Sequence, residues 1–378
     1  MEQPNNQQTA MRLLEEGAFL IFLDVPEGTE FGIDMKSWNT GDKFRGVKMV
    51  PPGIHFIFFS AVSNAGDISP RTGFFKYFRK SEVVVRKWDI KNECISKEVV
   101  SEEDIIGLKD NLRELDSFLG PYPFDIHSKW LCLTTYITES MIEQLIPLSG
   151  YIQSALELES CTDADRPRGK PTSNSEISVN SDPRRLRLTD ELEDKLLPKL
   201  KPKIGTDLRY TPFPHKNYPE GATPSQITQH SLDSSYVLNL MISSYSNNSD
   251  ILGEMQICYI CFLVGHSLEA FEQWKKLFSL FCSCETAITK YRKLYDAFIS
   301  LIEMQIKEIP EDFLADIVSN YNFVYMKLGQ LFRAIQESDV DGELKMKTAR
   351  LKKSLMEQFM WDFEYLDAED EAPVIVEI

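Results

Sequence analysis

Apolar and polar residues alternate with two different periods along this chain, and the change of period divides it. From residue 17 to about 95 the apolar runs are short and closed by Gly, Pro or Asp, which predicts strands and tight turns. Ala18 to Leu23, Ile54 to Ser60, Gly73 to Phe78 and Val83 to Trp88 are the strand candidates. The last of these is rich in β-branched and aromatic residues. Glycines at 28, 32, 41, 46 and 53 punctuate the first half, and Pro51-Pro52-Gly53 precedes the run Ile54-His55-Phe56-Ile57-Phe58-Phe59. That spacing reads as turns and short strands ending in one buried strand, a sandwich or barrel pattern.

From Ser101 the period becomes helical. Ser101 is a candidate cap, Glu102, Glu103 and Asp104 suit the positive end of the dipole, and Ile105, Leu108, Leu112, Leu115 and Leu119 form one stripe that Gly120-Pro121 should stop. Trp130 to Ile146 reads as a second amphipathic stretch completing the first domain. Residues 159 to 188 are read as a linker: the Ser, Asn, Asp and Pro content of Ser160 to Pro183 buries too little surface to offset chain entropy. Ser173, Ser175, Ser178 and Ser181 are available there for phosphorylation, with an unmodified spacer as the plainer reading. A short helix up to Leu197 and a proline-rich surface stretch follow. Thr223-Pro224-Ser225-Gln226 then has the form of a capping box with Pro at the first helical position. Beyond it stripes such as Trp274, Phe278, Phe281 and Tyr295, Phe298, Ile302 carry consecutive short helices to Trp361, with no fixed-period repeat. The predicted fold is α+β in two domains: 1–158 β-rich and sandwich-like, 189–361 all-α, with 362–378 an acidic tail ending in a strand.

Composition narrows the function. At 378 residues and 43% hydrophobic the chain can bury two cores. A balance of 41 basic and 58 acidic residues, net −17, argues against a nucleic-acid surface and for basic protein partners. No signal-peptide pattern and no apolar run of membrane-spanning length is evident. Seven scattered cysteines suggest free thiols in a reducing compartment.

Candidate chemistry is sparse. Cys258-Tyr-Ile-Cys261 with Cys282-Ser-Cys284 could supply four thiolates to zinc, but the first pair lies inside an apolar helical run, where buried structural thiols are the expectation. Glu337-Ser-Asp339-Val-Asp341-Gly342 imitates the start of a calcium loop, yet Thr348 stands where a bidentate Glu is required. His55, between Ile54 and Phe56 in a strand, reads as a core histidine rather than a base. No nucleophile elbow, His-Glu-x-x-His pair or phosphate loop occurs, so no cofactor or catalytic residue is expected. By physics the best binding element is the C-terminus. An acidic stretch ends in Val374-Ile375-Val376-Glu377-Ile378, a strand sequence suited to adding to a sheet edge, either a partner's or the chain's own.

The block from Phe31-Gly32-Ile33-Asp34 through Ser37-Trp38 and Gly46-Val47-Lys48-Met49 to Pro51-Pro52-Gly53-Ile54-His55-Phe56 closely resembles the signature of the splicing factors named for a1-alpha2 repression. Phe118-Leu119-Gly120-Pro121-Tyr122-Pro123, Pro219 to Pro224, Trp361-Asp362-Phe363 and Ala372 to Glu377 match in order. The resemblance implies a β-rich domain followed by a helical domain similar to VHS domains. It also implies a non-enzymatic assembly factor of the U5 small nuclear ribonucleoprotein. Such a factor, a monomer found in cytoplasm and nucleus, would bind the RNase H-like and Jab/MPN domains of the scaffold pre-mRNA-processing factor eight and delay the helicase. Val374 to Ile378 would act as a bridging strand. Gly32, Trp38, Pro51, Pro52 and Gly53 are expected to hold shape rather than bind. A helical adaptor for short peptides or ubiquitin is the alternative.

Overall fold

The computed structural model describes residues 13, 15–62, 66–96, 98, 100–155, 157–161, 200–310 and 323–363. The period-2 half forms β1 (Ala18–Leu23), β2 (Glu30–Ile33), β3 (Lys36–Asn39), β4 (Gly46–Val50), β5 (Gly53–Ser60), β6 (Thr72–Phe78), β7 (Val83–Asp89) and β8 (Cys94–Ile95). Four further short strands follow: β9 (Leu119–Pro121) and β10 (Ile152–Gln153), which extend the sheets formed by these strands, and β11 (Leu158–Ser160) and β12 (Leu200–Pro202), which pair with each other. Two five-stranded sheets, ordered β8-β7-β1-β4-β9 and β10-β6-β5-β2-β3, face each other. Phe22, Phe31, Ile57, Phe59, Phe78 and Trp88 are among the side chains that fill the space between them.

Strand β5 explains its own unbroken apolar run. Ile57 and Phe59 point into the sandwich, whereas Phe56 and Phe58 belong to a second cluster on the opposite face. Alternate side chains leave a strand on opposite sides, so a strand covered on both faces reads as a near-continuous apolar run, and a polar residue such as His55 is accommodated only with buried partners. The second cover comes from α3 (His127–Leu133), α4 (Glu139–Leu145) and the helical half, through Trp130, Met141, Ile257, Ile260 and Cys261.

The expected first helix is shorter than its stripe. It divides into α1 (Glu102–Asp110) and the single turn α2 (Leu112–Leu115). Ser101 caps it through the Asp104 N–H, as expected. Leu119, expected as the last residue of the stripe, and Gly120-Pro121, expected to stop it, instead pair with β4 in parallel, Gly46 opposite Leu119. Hydrogen bonding at the sheet edge outweighs the helical period there. The stretch Trp130 to Ile146 likewise breaks in two, because Thr138 caps α4 by accepting from the Met141 N–H.

The helical half comprises α5 (Pro224–Leu232), α6 (Ser235–Ser244), α7 (Asp250–Leu263), α8 (Leu268–Cys282), α9 (Thr286–Lys290), α10 (Arg292–Glu308), α11 (Phe323–Glu337) and α12 (Gly342–Phe359). Thr223 and Gln226 form the reciprocal capping box. The chain is thus α+β, a β-rich N-terminal region followed by a helical C-terminal region. Glu159 and Ser160, which composition assigned to the linker, lie in β11 and pair with Lys201 and Leu200. Residues 162–199, with the linker serines and the helix expected before Pro198, lie outside the described residues, as do 364–378.

Candidate partner interface

The signature block builds the joint between the two halves. Phe58 has glycine as its cross-strand neighbour on both sides, Gly32 in β2 and Gly73 in β6. A Cβ at Gly32 would lie 2.1 Å from the Phe58 ring, and one at Gly73 would lie 2.3 Å from the Phe56 ring. The rings therefore lie down in glycine troughs and present a flat apolar face to α3, α4 and α7. The Arg71 guanidinium sits 4.3 Å above the Phe58 ring. It donates to the Val264 carbonyl (2.8 Å) at the end of α7 and to Glu30 (2.6 Å) in β2. Burial lowers its pKa while Glu30 opposes that. Burial first, and Arg71 second, also lower the pKa of His266 beside it.

Beneath this face lies a closed polar network. Asp34, the first residue of the two-residue β2–β3 turn with φ 56°, is completely buried. Its carboxylate accepts from the Phe56 N–H (3.0 Å) and from the Tyr122 hydroxyl (2.5 Å), and lies 2.8 Å from His55 Nδ1. His55 Nε2 lies 2.8 Å from the Pro51 carbonyl. A carbonyl only accepts, so Nε2 carries a proton, and the line between Nδ1 and a carboxylate oxygen must carry another. Burial, with Asp34 adding to it, raises the pKa of Tyr122 and holds its hydroxyl as a donor. Two signature stretches far apart in sequence meet here.

The remaining signature residues also sit in the scaffold. Pro51 is buried and Pro52 half-buried. Gly53 has φ +139°, a conformation that side chains avoid, where the chain turns into β5. Trp38, on edge strand β3, packs 5.5 Å from Phe31 and 6.4 Å from Phe44.

Polar groups brace each half beside the apolar face, and Gln256 ties the two together. The Trp130 indole donates to the Ile54 carbonyl (2.7 Å). Buried Gln256 in α7 accepts from the Tyr136 N–H (2.8 Å) and donates to the Cys132 carbonyl (3.1 Å), spanning the α3–α4 turn. Glu254, two residues earlier, is fully buried and accepts from Thr211 (2.7 Å) and the Tyr245 hydroxyl (2.7 Å). Cys258 and Cys261 face apolar neighbours in α7, and Cys282 and Cys284 lie at the end of α8, all four buried and free. Burial raises all four thiols, Cys284 up to about 12. Among the described residues no group of three or more His, Cys, Asp or Glu could hold a metal. Asp341, in the segment resembling a calcium loop, caps α12 by accepting from the Leu344 N–H (3.2 Å).

Apolar side chains reach solvent near the base of the linker. The Ser149 N–H donates to the Gly205 carbonyl (3.0 Å), which brings Leu148 (73% exposed) beside Ile204 (83% exposed). Leu158, half-exposed, lies on the adjoining β11. Val374, Ile375, Val376, Glu377 and Ile378 lie outside the described residues. Sequence reasoning passed over Asp34, Arg71, Tyr122 and Trp130 as joint residues. Asp34 and Tyr122 stood inside quoted motifs, whereas nothing around Arg71 marked it.

Comparison with known proteins follows the same division. Residues 16–147 match the family model described as the AAR2 N-terminal domain, and residues 210–364 match the AAR2 C-terminal repeat region. Human protein AAR2 homolog is 39% identical over 378 residues, covering 98% of this chain and 96% of the human protein. The mouse relative is 38% identical with the same coverage, and the Caenorhabditis elegans relative is 37% identical over 93% of this chain and 96% of its own length. No described helix is long and apolar enough to cross a membrane. Over both of its domains, and over nearly the whole length of its relatives, this chain belongs to the AAR2 family, the splicing-related factors whose signature its opening block resembles.

Proposed function

We propose that this protein is a non-enzymatic assembly factor of the U5 small nuclear ribonucleoprotein, acting as a monomer in cytoplasm and nucleus. It binds the scaffold pre-mRNA-processing factor eight through that protein's RNase H-like and Jab/MPN domains and delays helicase joining by occupying a shared surface. The observation that carries the reading is the family match of both domains in one chain over nearly its full length. The net charge of −17 suits a basic protein surface better than RNA. The exposed pair Leu148 and Ile204, at the junction of the two halves, offers an apolar anchor for the RNase H-like domain. Val374 to Ile378 supplies a strand to the Jab/MPN side, each backbone hydrogen bond contributing about 0.5–1.5 kcal/mol.

Affinity capture from nuclear and cytoplasmic extracts with mass spectrometry tests the reading. U5 proteins led by the scaffold are expected; trafficking cargo or ubiquitin would favour an adaptor instead. With purified scaffold fragments, deleting residues 372–378 weakens binding, and unchanged affinity for both fragments removes the strand from the proposal. Ile204→Asp with Leu148→Asp should cost at least about tenfold, or about 1.4 kcal/mol, against the RNase H-like fragment.

A further inference from the structure

A groove of about 510 Å³ runs between α11 and α12. Phe332, Ile335 and Phe363 supply its apolar lining, and Arg333, Lys345 and Lys352 its positive charge, which outweighs the carboxylate of Glu337 at its end. Helix α12 carries Lys345, Lys347, Arg350, Lys352 and Lys353 against only Glu343 and Glu357, in a chain whose net charge is −17. Lys347 is engaged by Asp296 at 2.8 Å, and the Lys345 ammonium donates to the Gln336 carbonyl at 2.9 Å. The described chain ends in this groove: the Phe363 ring packs 5.0 Å from Phe332 and 5.0 Å from Tyr325. The next residues are Glu364-Tyr365-Leu366-Asp367-Ala368-Glu369-Asp370-Glu371, acidic around one aromatic and one aliphatic side chain.

We propose that the acidic segment 364–371 docks within its own chain into the α11–α12 groove, its apolar pair over Phe332 and Ile335 and its carboxylates on Arg333, Lys345 and Lys352. Charge and reach both fit. From Gly329 to Glu337 the groove follows eight helical residues, about 12 Å, and four extended residues cover about 13 Å. A segment attached at the mouth has an effective concentration of about millimolar, so a free acidic peptide must exceed that to displace it. The docked segment fixes where the strand Val374–Ile378 begins, and an acidic ligand on the groove releases it. The inference goes beyond the proposed function and requires no particular partner.

The test uses the full chain and a fluorescein-labelled peptide of sequence 364–371. Neutralising the tail (E364Q, D367N, E369Q, D370N, E371Q) empties the groove. The neutralised chain should then bind the probe at least about tenfold tighter than the native chain at low salt. Adding Lys345→Glu and Lys352→Glu to that chain should abolish binding, with circular dichroism showing the fold retained. Equal binding by native and neutralised chains, binding by neither, or binding indifferent to the lysine reversals would overturn the proposal. Carbodiimide cross-linking of the native chain should join Lys345 or Lys352 to residues 364–371 within one monomer. Such links found only in dimers would make a second copy the occupant and would equally overturn it.

Discussion

Replacing Asp34 with alanine should be among the most damaging single changes in this protein, although Asp34 lies in a turn. The carboxylate is completely buried and serves three donors: the Phe56 N–H, the Tyr122 hydroxyl and the proton shared with His55. Alanine leaves those three donors without an acceptor in a buried site. Each buried donor left unsatisfied costs about 1–3 kcal/mol. Tyr122→Phe removes only the donor of one hydrogen bond to the carboxylate and should cost about 1.5–3 kcal/mol. In the double variant the losses should not add, because the Tyr122 bond is already gone once Asp34 is alanine. Asp34→Asn should cost less than alanine. Its carbonyl can still accept from Phe56, and its amide can donate toward an unprotonated Nδ1. Urea unfolding followed by tryptophan emission and far-UV circular dichroism in parallel checks this, since two domains need not unfold together. An Asp34→Ala loss under about 1 kcal/mol, or equal losses for alanine and asparagine, would refute the network argument.

Alkaline pH should destabilise the fold. Burial raises the pKa of Tyr122, Tyr259 and Tyr295 and of the Cys258 and Cys282 thiols, so the native chain keeps protons that the unfolded chain releases near the ordinary values of about 8.5 for Cys and 10 for Tyr. Their stabilisation is complete below those values and is lost progressively as pH rises from them toward the raised native values, so the urea midpoint should fall above about pH 8.5 and more steeply near 10; a flat profile to pH 10.5 would contradict the burial. Cutting the chain at a protease site inserted after Ser178 should leave two fragments that co-elute, because the Phe56–Phe58–Ile257 cluster and the β11–β12 pairing both cross the cut. Adding Arg71→Ala should make the nicked fragments separate at lower urea, and spontaneous separation without denaturant would show the joint to be weak.

Local rules made some elements legible and tertiary pairing hid others. The capping box at Thr223 and Gln226 and the cap at Ser101 rest on side-chain chemistry within three residues, and both appear as read. Leu119 to Pro121 and Leu158 to Ser160 become strands only because β4 and β12 lie beside them, and a three-residue strand has too little pattern to announce itself. The apolar positions Ile288, Tyr291, Tyr295, Phe298 and Ile302 have the spacing of one continuous helix, yet Tyr291, with φ −114° and ψ 40°, separates α9 from α10. The C-terminal region carries a repeat description in its family, yet α6, α7 and α10 have 10, 14 and 17 residues, and such unequal lengths erase any fixed period. Arg71 was invisible for a different reason. An isolated arginine between turn residues looks solvated, and only the meeting of Phe58, Glu30 and Val264 gives it a place.

The position of β5 gives the signature block a mechanical consequence for binding. Phe56 and Phe58 lie on the face of the sheet that packs against α7, while Ile57 and Phe59 lock the same strand into the sandwich. Any shift of β5 by one residue would exchange those two faces, so register within the first domain and docking of the second domain are one constraint. The glycines at 32 and 73 add to it, since a methyl group at either would lift a phenyl ring off the sheet and push against α3 and α7. Residues that touch no partner can therefore weaken partner binding when that partner bridges the two halves. On this argument a Gly32 substitution should reduce affinity for a ligand spanning both domains far more than for one confined to the helical half. The difference between those two affinities, rather than either alone, reports whether the joint transmits the effect.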